Sequence, residues 1–270
     1  MGLVDVDWLR AHLGDPALAV VDCRWSLADP GAGRRVYEEG HVPGAAFLDV
    51  DADLSAPPGA GGRHPLPAAP DFERAARRAG IRRDSHVVAY DESGEGGAAR
   101  LWWLLRHFGH ERADVLDGGM RAWREAAGPL KTGAPQQRDG DFEARPRKDD
   151  TIDAAGLRER LDDPALDLLD ARAPERYAGE REPIDPVAGH IPGARNVPYA
   201  DLAPEGRWLP PAELRARLEG DGEIVAYCGS GVTACTVLLA AEVAGLPGGR
   251  LYQGSWSEWC GLGLPAETGR

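Results

Sequence analysis

The chain repeats itself, and the repeat leaves few folds open to it. Val20-Val21-Asp22-Cys23-Arg24 returns as Leu168-Leu169-Asp170-Ala171-Arg172, an offset of 148 from Asp22 to Asp170. Gly40-His41-Val42-Pro43-Gly44-Ala45 returns as Gly189-His190-Ile191-Pro192-Gly193-Ala194 at an offset of 149. Val87-Val88-Ala89-Tyr90-Asp91 returns as Ile224-Val225-Ala226-Tyr227-Cys228 at 137, and Gly118 and Trp123 return as Gly254 and Trp259 at 136. Each copy reads strand, turn, strand, helix, strand, helix, strand. Such alternation predicts an α/β chain of two units, each a mostly parallel sheet flanked by helices. The polar stretch from Gly128 to Asp150 carries Pro and Gly and is the expected linker region, with the division placed at 1–135 and 136–270.

The second copy contains the segment with the clearest chemistry, Cys228-Gly229-Ser230-Gly231-Val232-Thr233-Ala234. The apolar run Ile224-Val225-Ala226-Tyr227 precedes it and the helix-compatible run from Cys235 to Ala244 follows, so a cysteine stands at the end of a strand, before a tight loop and a helix. Two glycines let the loop curl so that successive N–H groups turn toward the sulfur. The helix N-terminus adds partial positive charge, and both effects favour thiolate, the reactive form. A buried inert thiol is the ordinary fate of a cysteine, and Cys23, Cys235 and Cys260 are assigned to it. The Gly-x-Gly spacing after a strand sets Cys228 apart as a candidate nucleophile.

Two asymmetries between the copies matter. Asp91 stands where the second copy has Cys228, and aspartate cannot take up a sulfur atom, so the first copy is expected to be catalytically silent. The offset also shortens between the histidine turn and the loop, so the first copy carries an insertion within Asp51 to Pro70 that includes Gly62-Arg63-His64-Pro65-Leu66-Pro67. A loop of this kind, absent from the active copy, could reach the partner domain's site.

The segment C-G-S-G-V-T-A resembles the active-site loop of the rhodanese superfamily, and the repeat, the silent first copy and the insertion resemble tandem rhodanese-domain sulfurtransferases over nearly the whole chain. The neutral Gly-Ser pair after the cysteine is similar to the 3-mercaptopyruvate branch, whereas thiosulfate enzymes more typically carry basic residues there. The resemblance implies sulfur transfer in two halves. Cys228 takes sulfur from a small anionic donor, mercaptopyruvate or thiosulfate, and becomes a persulfide. A thiol, cyanide or a thioredoxin-like acceptor then removes the sulfur. N–H groups from Gly229 through Gly231 and Val232 to Thr233 would stabilise the persulfide anion as an oxyanion hole does. The resemblance further implies that Ser230 acts with Asp51 and His64 of the first copy, a set suited to moving a proton, and that Arg176 anchors the substrate's anionic group. Trp25 matches a tryptophan near the substrate pocket. The usual second arginine, following a Glu-Pro pair, is here Ile184, with Arg181 nearby as a candidate substitute.

His41 and His190 occupy the same turn in both copies, including the silent one, which points to scaffolding; the pairs Asp22/Arg24 and Asp170/Arg172 are read the same way. Trp102, Trp103 and Phe108 read as core. A formal net charge of −13 argues against nucleic acid or an anionic membrane surface as partner. The N-terminus lacks the pattern of a signal peptide, no stretch has the length of a membrane span and the four cysteines show no disulfide framework, so the reducing cytoplasm is the expected compartment; a monomer is the default expectation. No metal or organic cofactor is called for, because sulfur itself is the carried group. A cysteine phosphatase would need an arginine at Ala234. Gly94-Glu95-Gly96-Gly97-Ala98-Ala99 fits a dinucleotide motif weakly: it stands at the silent copy's counterpart of the sulfur loop and not after the first strand, and Glu95 would face a pyrophosphate. A non-catalytic persulfide carrier or regulatory module is the remaining alternative.

Overall fold

The computed structural model describes residues 2–136 and 138–269. They form two compact units, neither contiguous in sequence. The first comprises 2–56, 67–136, 138–147 and 205–208; the second comprises 57–66, 148–204 and 209–269.

In the first unit the chain runs β1 (Leu3–Val4), α1 (Val6–His12), β2 (Leu18–Asp22), α2 (Ala32–Glu39), β3 (Ala46–Phe47), α3 (Ala69–Arg78), β4 (His86–Tyr90), α4 (Gly97–His107), β5 (Ala113–Leu116) and α5 (Gly119–Glu125). The sheet is parallel, in the order β1-β5-β4-β2-β3. The second unit repeats this plan with β6 (Thr151–Ile152), α6 (Ala154–Glu159), β7 (Leu166–Asp170), α7 (Pro174–Tyr177), β8 (Arg195–Asn196), α8 (Tyr199–Leu202), α9 (Pro211–Leu218), β9 (Glu223–Tyr227), α10 (Ala234–Val243), β10 (Arg250–Tyr252) and α11 (Ser255–Gly261). Its order is β6-β10-β9-β7-β8, again parallel. Two copies of one α/β plan are what the repeat predicts. The structure adds short helices that the sequence reading did not contain, such as α2 and α7 ahead of the histidine turns. They are only one or two turns long and are held by packing rather than by a readable period.

The central strands are runs of Val, Leu, Ile and Ala buried on both faces, as a covered parallel sheet requires. α4 is buried on nearly all sides, with Trp102 and Trp103 in the core, and α10 is buried from Ala234 to Ala241. Helices α1 and α6 open on the same cap: the Asp5 and Asp153 carboxylates accept N–H groups of Trp8 and Gly156 at 2.7 and 2.8 Å.

The repeated polar residues form one buried scaffold, built twice. Arg24 donates to Asp22 and to the Gly40 carbonyl, and Arg172 donates to Asp170 and to the Gly189 carbonyl, each carbonyl contact at 2.7 Å. His41 and His190 stack on Tyr37 and Tyr177 and meet their carbonyls at 2.8 Å. These contacts hold the turn that returns the chain to β3 or β8.

Apart from residues 57–66, the second unit begins at Lys148, later than the 135/136 division read from the sequence. Residues up to Arg147 stay with the first unit because their N–H groups bond to it: Phe142 to the Ile81 carbonyl at 3.2 Å, Arg145 to that of Phe108 at 2.9 Å and Arg147 to that of His107 at 2.8 Å. Residues 57–66, part of the insertion in the first sequence copy, belong to the second unit.

Candidate active site

The register of the second sheet sets Asp170 beside Tyr227, so β7 and β9 end together and Cys228 emerges at that edge. α11 clasps the loop from outside. The Cys228 N–H donates to Ser255 Oγ at 3.2 Å, the Cys228 carbonyl accepts from Trp256 at 2.9 Å, and the Gly229 carbonyl accepts from Ser257 at 3.0 Å. Ser255 reaches this position with a left-handed backbone, φ 52°, costly for a residue with a Cβ. Its counterpart in the first copy is Gly119, φ 57°.

Cys228 is buried, 2% exposed. The N–H groups of Gly231 and Ser230 donate to its sulfur at 3.1 and 3.5 Å, and Gly231 has φ 83°, a conformation that favours glycine. Donors aimed at sulfur favour negative charge there, on the thiolate and on a persulfide alike. Val232 and Thr233 complete the loop, their carbonyls accepting the first helical N–H groups at Cys235 and Thr236.

Residues 57–66 supply the other wall. Gly62, φ 97°, lies against α11 so closely that a Cβ there would stand 2.7 Å from the Gly254 carbonyl oxygen. The Arg63 N–H donates to Ser257 Oγ at 3.1 Å. These two contacts direct His64 inward, where its Nδ1 meets Ser230 Oγ at 2.7 Å, both side chains buried. Asp51 lies in the first unit, on an exposed turn after β3 where its N–H donates to the Asp49 carboxylate. Trp25 is also in the first unit, beside Gly97.

Arg176, on α7, places Nε and Nη2 on the Glu182 carboxylate at 3.1 and 2.8 Å and reaches Asp185 at 3.1 Å. Burial would raise the Glu182 carboxyl, but Arg176 and the N–H groups of Asp185 and Ile184 outweigh it and hold it below its ordinary value. Arg63 pairs with Asp185 at 2.7 Å. Ile184 is 42% exposed and Arg181 is exposed beside it. Ser255, Ser257, Arg63, Glu182 and Asp185 are site residues that the sequence reading did not assign. The matching Gly118-Gly119 and Gly254-Ser255 pairs were the available signal for Ser255. Cys23 and Cys235 are buried, but Cys260, expected in the core, is only half-buried on the end of α11; burial and then Asp185 push its thiol up to about 11.

In the first unit the equivalent loop is filled by its own side chain. The Asp91 carboxylate accepts N–H groups of Gly94, Gly96 and Ala98 at 2.8, 3.1 and 3.2 Å. Burial, and then the charge of Glu95, outweigh these donors and push the carboxyl up to about 7 from its ordinary 3.8. The folded unit therefore holds this proton more tightly than the unfolded chain. Its contribution is complete below about pH 4, is lost as pH rises from about 4 to about 7, and levels off above that. Urea unfolding of the native chain should show the first unit weakening between pH 4.5 and 8, and Asp91→Asn should flatten that slope; equal slopes in the two would refute the shift.

A parallel α/β unit repeated in tandem, with a cysteine in an N–H-lined loop at a strand end, defines a class of thiol-dependent transfer modules. The rhodanese-like domain model matches residues 5–126 and 153–262, and the chain belongs to this family. Within it the chain is a sulfurtransferase. A Pseudomonas aeruginosa protein named "Probable 3-mercaptopyruvate sulfurtransferase" is 50% identical over 95% of this chain and 94% of its own length. A Mycobacterium tuberculosis relative named for thiosulfate sulfurtransfer, SseB, is 42% identical over 91% of this chain and 88% of its own. The crystal structure of SseA from Escherichia coli, described as the rhodanese fold of 3-mercaptopyruvate sulfotransferases, is similar with a TM-score of 0.82 and 35% identity, covering 95% of this chain and 99% of that one.

Proposed function

We propose that this sulfurtransferase takes its sulfur from 3-mercaptopyruvate, with Cys228 as the nucleophile. The Cys228 thiolate attacks the donor sulfur. The donor's carbon–sulfur bond breaks with its electron pair on carbon, giving the enolate of pyruvate, while the sulfur stays on Cys228 as a persulfide. The enolate needs a proton, and the Ser230–His64 pair, hydrogen-bonded at 2.7 Å, is suited to deliver one. This pair is the observation that carries the reading. Asp51, in the first unit, is the proposed third member of the relay. An acceptor such as cyanide or a small thiol then attacks the outer sulfur and returns the Cys228 thiolate. Asp91 holds the place of a nucleophile in the first unit, which on this reading supports the fold and takes no sulfur. Among the described residues no helix is long and apolar enough to cross a membrane.

Thiosulfate is the second reading, favoured by the SseB relative. Thiosulfate releases sulfite, which needs no proton on carbon. Turnover with each donor, cyanide as acceptor, separates the readings. His64→Ala should lower mercaptopyruvate turnover by about a hundredfold or more, the usual worth of a positioned proton donor, and should cost much less with thiosulfate. Equal turnover of mercaptopyruvate by native and variant protein would remove the relay, and a native preference for thiosulfate would overturn the choice of donor.

A further inference from the structure

Arg63 is an arginine in the second unit's site to which the reaction above gives no task. Its guanidinium lies beside the loop that carries the nucleophile. A Cβ built on Gly229 would stand 3.1 Å from Arg63 Nη2 and 3.5 and 3.6 Å from Arg176 Nη1 and Nη2. Two guanidiniums from distant parts of the sequence therefore meet at the residue that follows Cys228. Both are held from behind by buried carboxylates. Asp185 takes Arg63 Nη1 at 2.7 Å and Nη2 at 3.4 Å, and Glu182 takes Arg176. The carboxyl groups of Glu182 and Asp185 are each 3% exposed, so the arginines are fixed in place before any ligand arrives.

The Asp185 contact uses only the end of the Arg63 guanidinium. Its side edge, Nε and the second hydrogen of Nη2, is the fork that grips a carboxylate with two parallel bonds. Arg63 Nε is buried and has no hydrogen-bond partner among the described residues. A buried charged donor without an acceptor is costly, and an anion beside Gly229 would remove that cost. Arg181 offers no comparable group, being exposed.

We infer that Arg63 is a substrate-anchoring residue that binds the anionic end of the sulfur donor together with Arg176. On the reading in the preceding subsection, on which this inference rests, that end is the mercaptopyruvate carboxylate. The arrangement also explains why a catalytic loop without cations can accept an anionic donor: the positive charge comes from residues 57–66 and α7.

The test is steady-state sulfur transfer to cyanide by Arg63→Gln, Arg63→Lys and the double variant Arg63→Gln/Asp185→Asn. The double variant removes both charges of the Arg63–Asp185 pair, and Asp185→Asn alone is the control for the 3.1 Å contact that Asp185 also makes with Arg176. Loss of a charge-assisted anchor should raise KM for mercaptopyruvate roughly 10- to 100-fold in Arg63→Gln and in the double variant, with kcat changed far less. Arg63→Lys, which keeps the charge without the fork, should fall between them and native. A merely structural Arg63 would instead lower the thermal midpoint of Arg63→Gln, show recovery in the double variant, and leave KM unchanged in the double variant; that result overturns the inference. Should the native protein use thiosulfate and not mercaptopyruvate, the donor reading fails by itself, and the KM for thiosulfate in the same variants decides for or against Arg63. Should neither donor turn over, calorimetric binding of pyruvate to native and double-variant protein decides it, with equal affinity overturning the inference.

Discussion

Cys228→Ser should abolish sulfur transfer from either donor, lowering turnover by at least about a thousandfold, equivalent to about 4 kcal/mol of barrier. A serine hydroxyl remains protonated at neutral pH and carries no sulfane sulfur, so both halves of the reaction lose their central atom. The fold should survive the change. The side chains are nearly the same size, and the N–H groups of Ser230 and Gly231 that point at the sulfur can point at an oxygen. Mass spectrometry after one equivalent of donor reads the chemistry directly. Native protein should gain one sulfur atom on Cys228 and the variant none. Sulfur found on Cys23, Cys235 or Cys260, or turnover kept by the variant, would place the nucleophile elsewhere.

The largest loss of stability should come from Arg172→Met. Arg172 and Asp170 are both almost completely buried. The Asp170 carboxylate accepts the Arg172 backbone N–H at 2.9 Å, Nε at 3.0 Å and Nη2 at 2.6 Å. Arg172 also spans to the Gly189 carbonyl and lies 4.6 Å from the Trp256 ring. Removing the guanidinium leaves a buried carboxylate with no countercharge, which costs about 3–5 kcal/mol. For a unit of this size the thermal midpoint should fall by roughly 10–20 °C. Calorimetry should show the loss in the second unit, and Arg24→Met should produce the matching loss in the first, where Arg24 and Asp22 make the same contacts. Replacing both charges, Asp170→Leu with Arg172→Met, should recover part of the loss. A midpoint lowered by less than a few degrees in Arg172→Met would show that the pair contributes little.

Much of this architecture is legible in the amino-acid order because its signals are local. Short apolar runs such as Val87 to Tyr90 and Ile224 to Tyr227 mark strands buried on both faces. The glycines of Cys228-Gly229-Ser230-Gly231 announce a loop that must curl, and the structure has Gly231 at φ 83°. The substitution of Asp91 for the cysteine is visible by comparing the copies. Short helices such as α2 and α7 were not legible, since one or two turns carry no period. Nor was the late start of the second unit at Lys148, which depends on backbone hydrogen bonds between residues 142–147 and distant parts of the first unit.

By itself the sequence determined the tandem α/β plan and the family, and it singled out Cys228 as the candidate nucleophile. Each of these rests on windows of a few residues, in which neighbours in the chain are neighbours in space. Only the tertiary structure decided which unit residues 57–66 join, and with it the environment of the sulfur. His64 meets Ser230 across 166 positions of sequence, and Arg63 meets Asp185 across 122. No spacing or periodicity encodes such distances. They follow from Gly62 packing against the Gly254 carbonyl and from buried carboxylates that need a cation, conditions that exist only once the chain has folded.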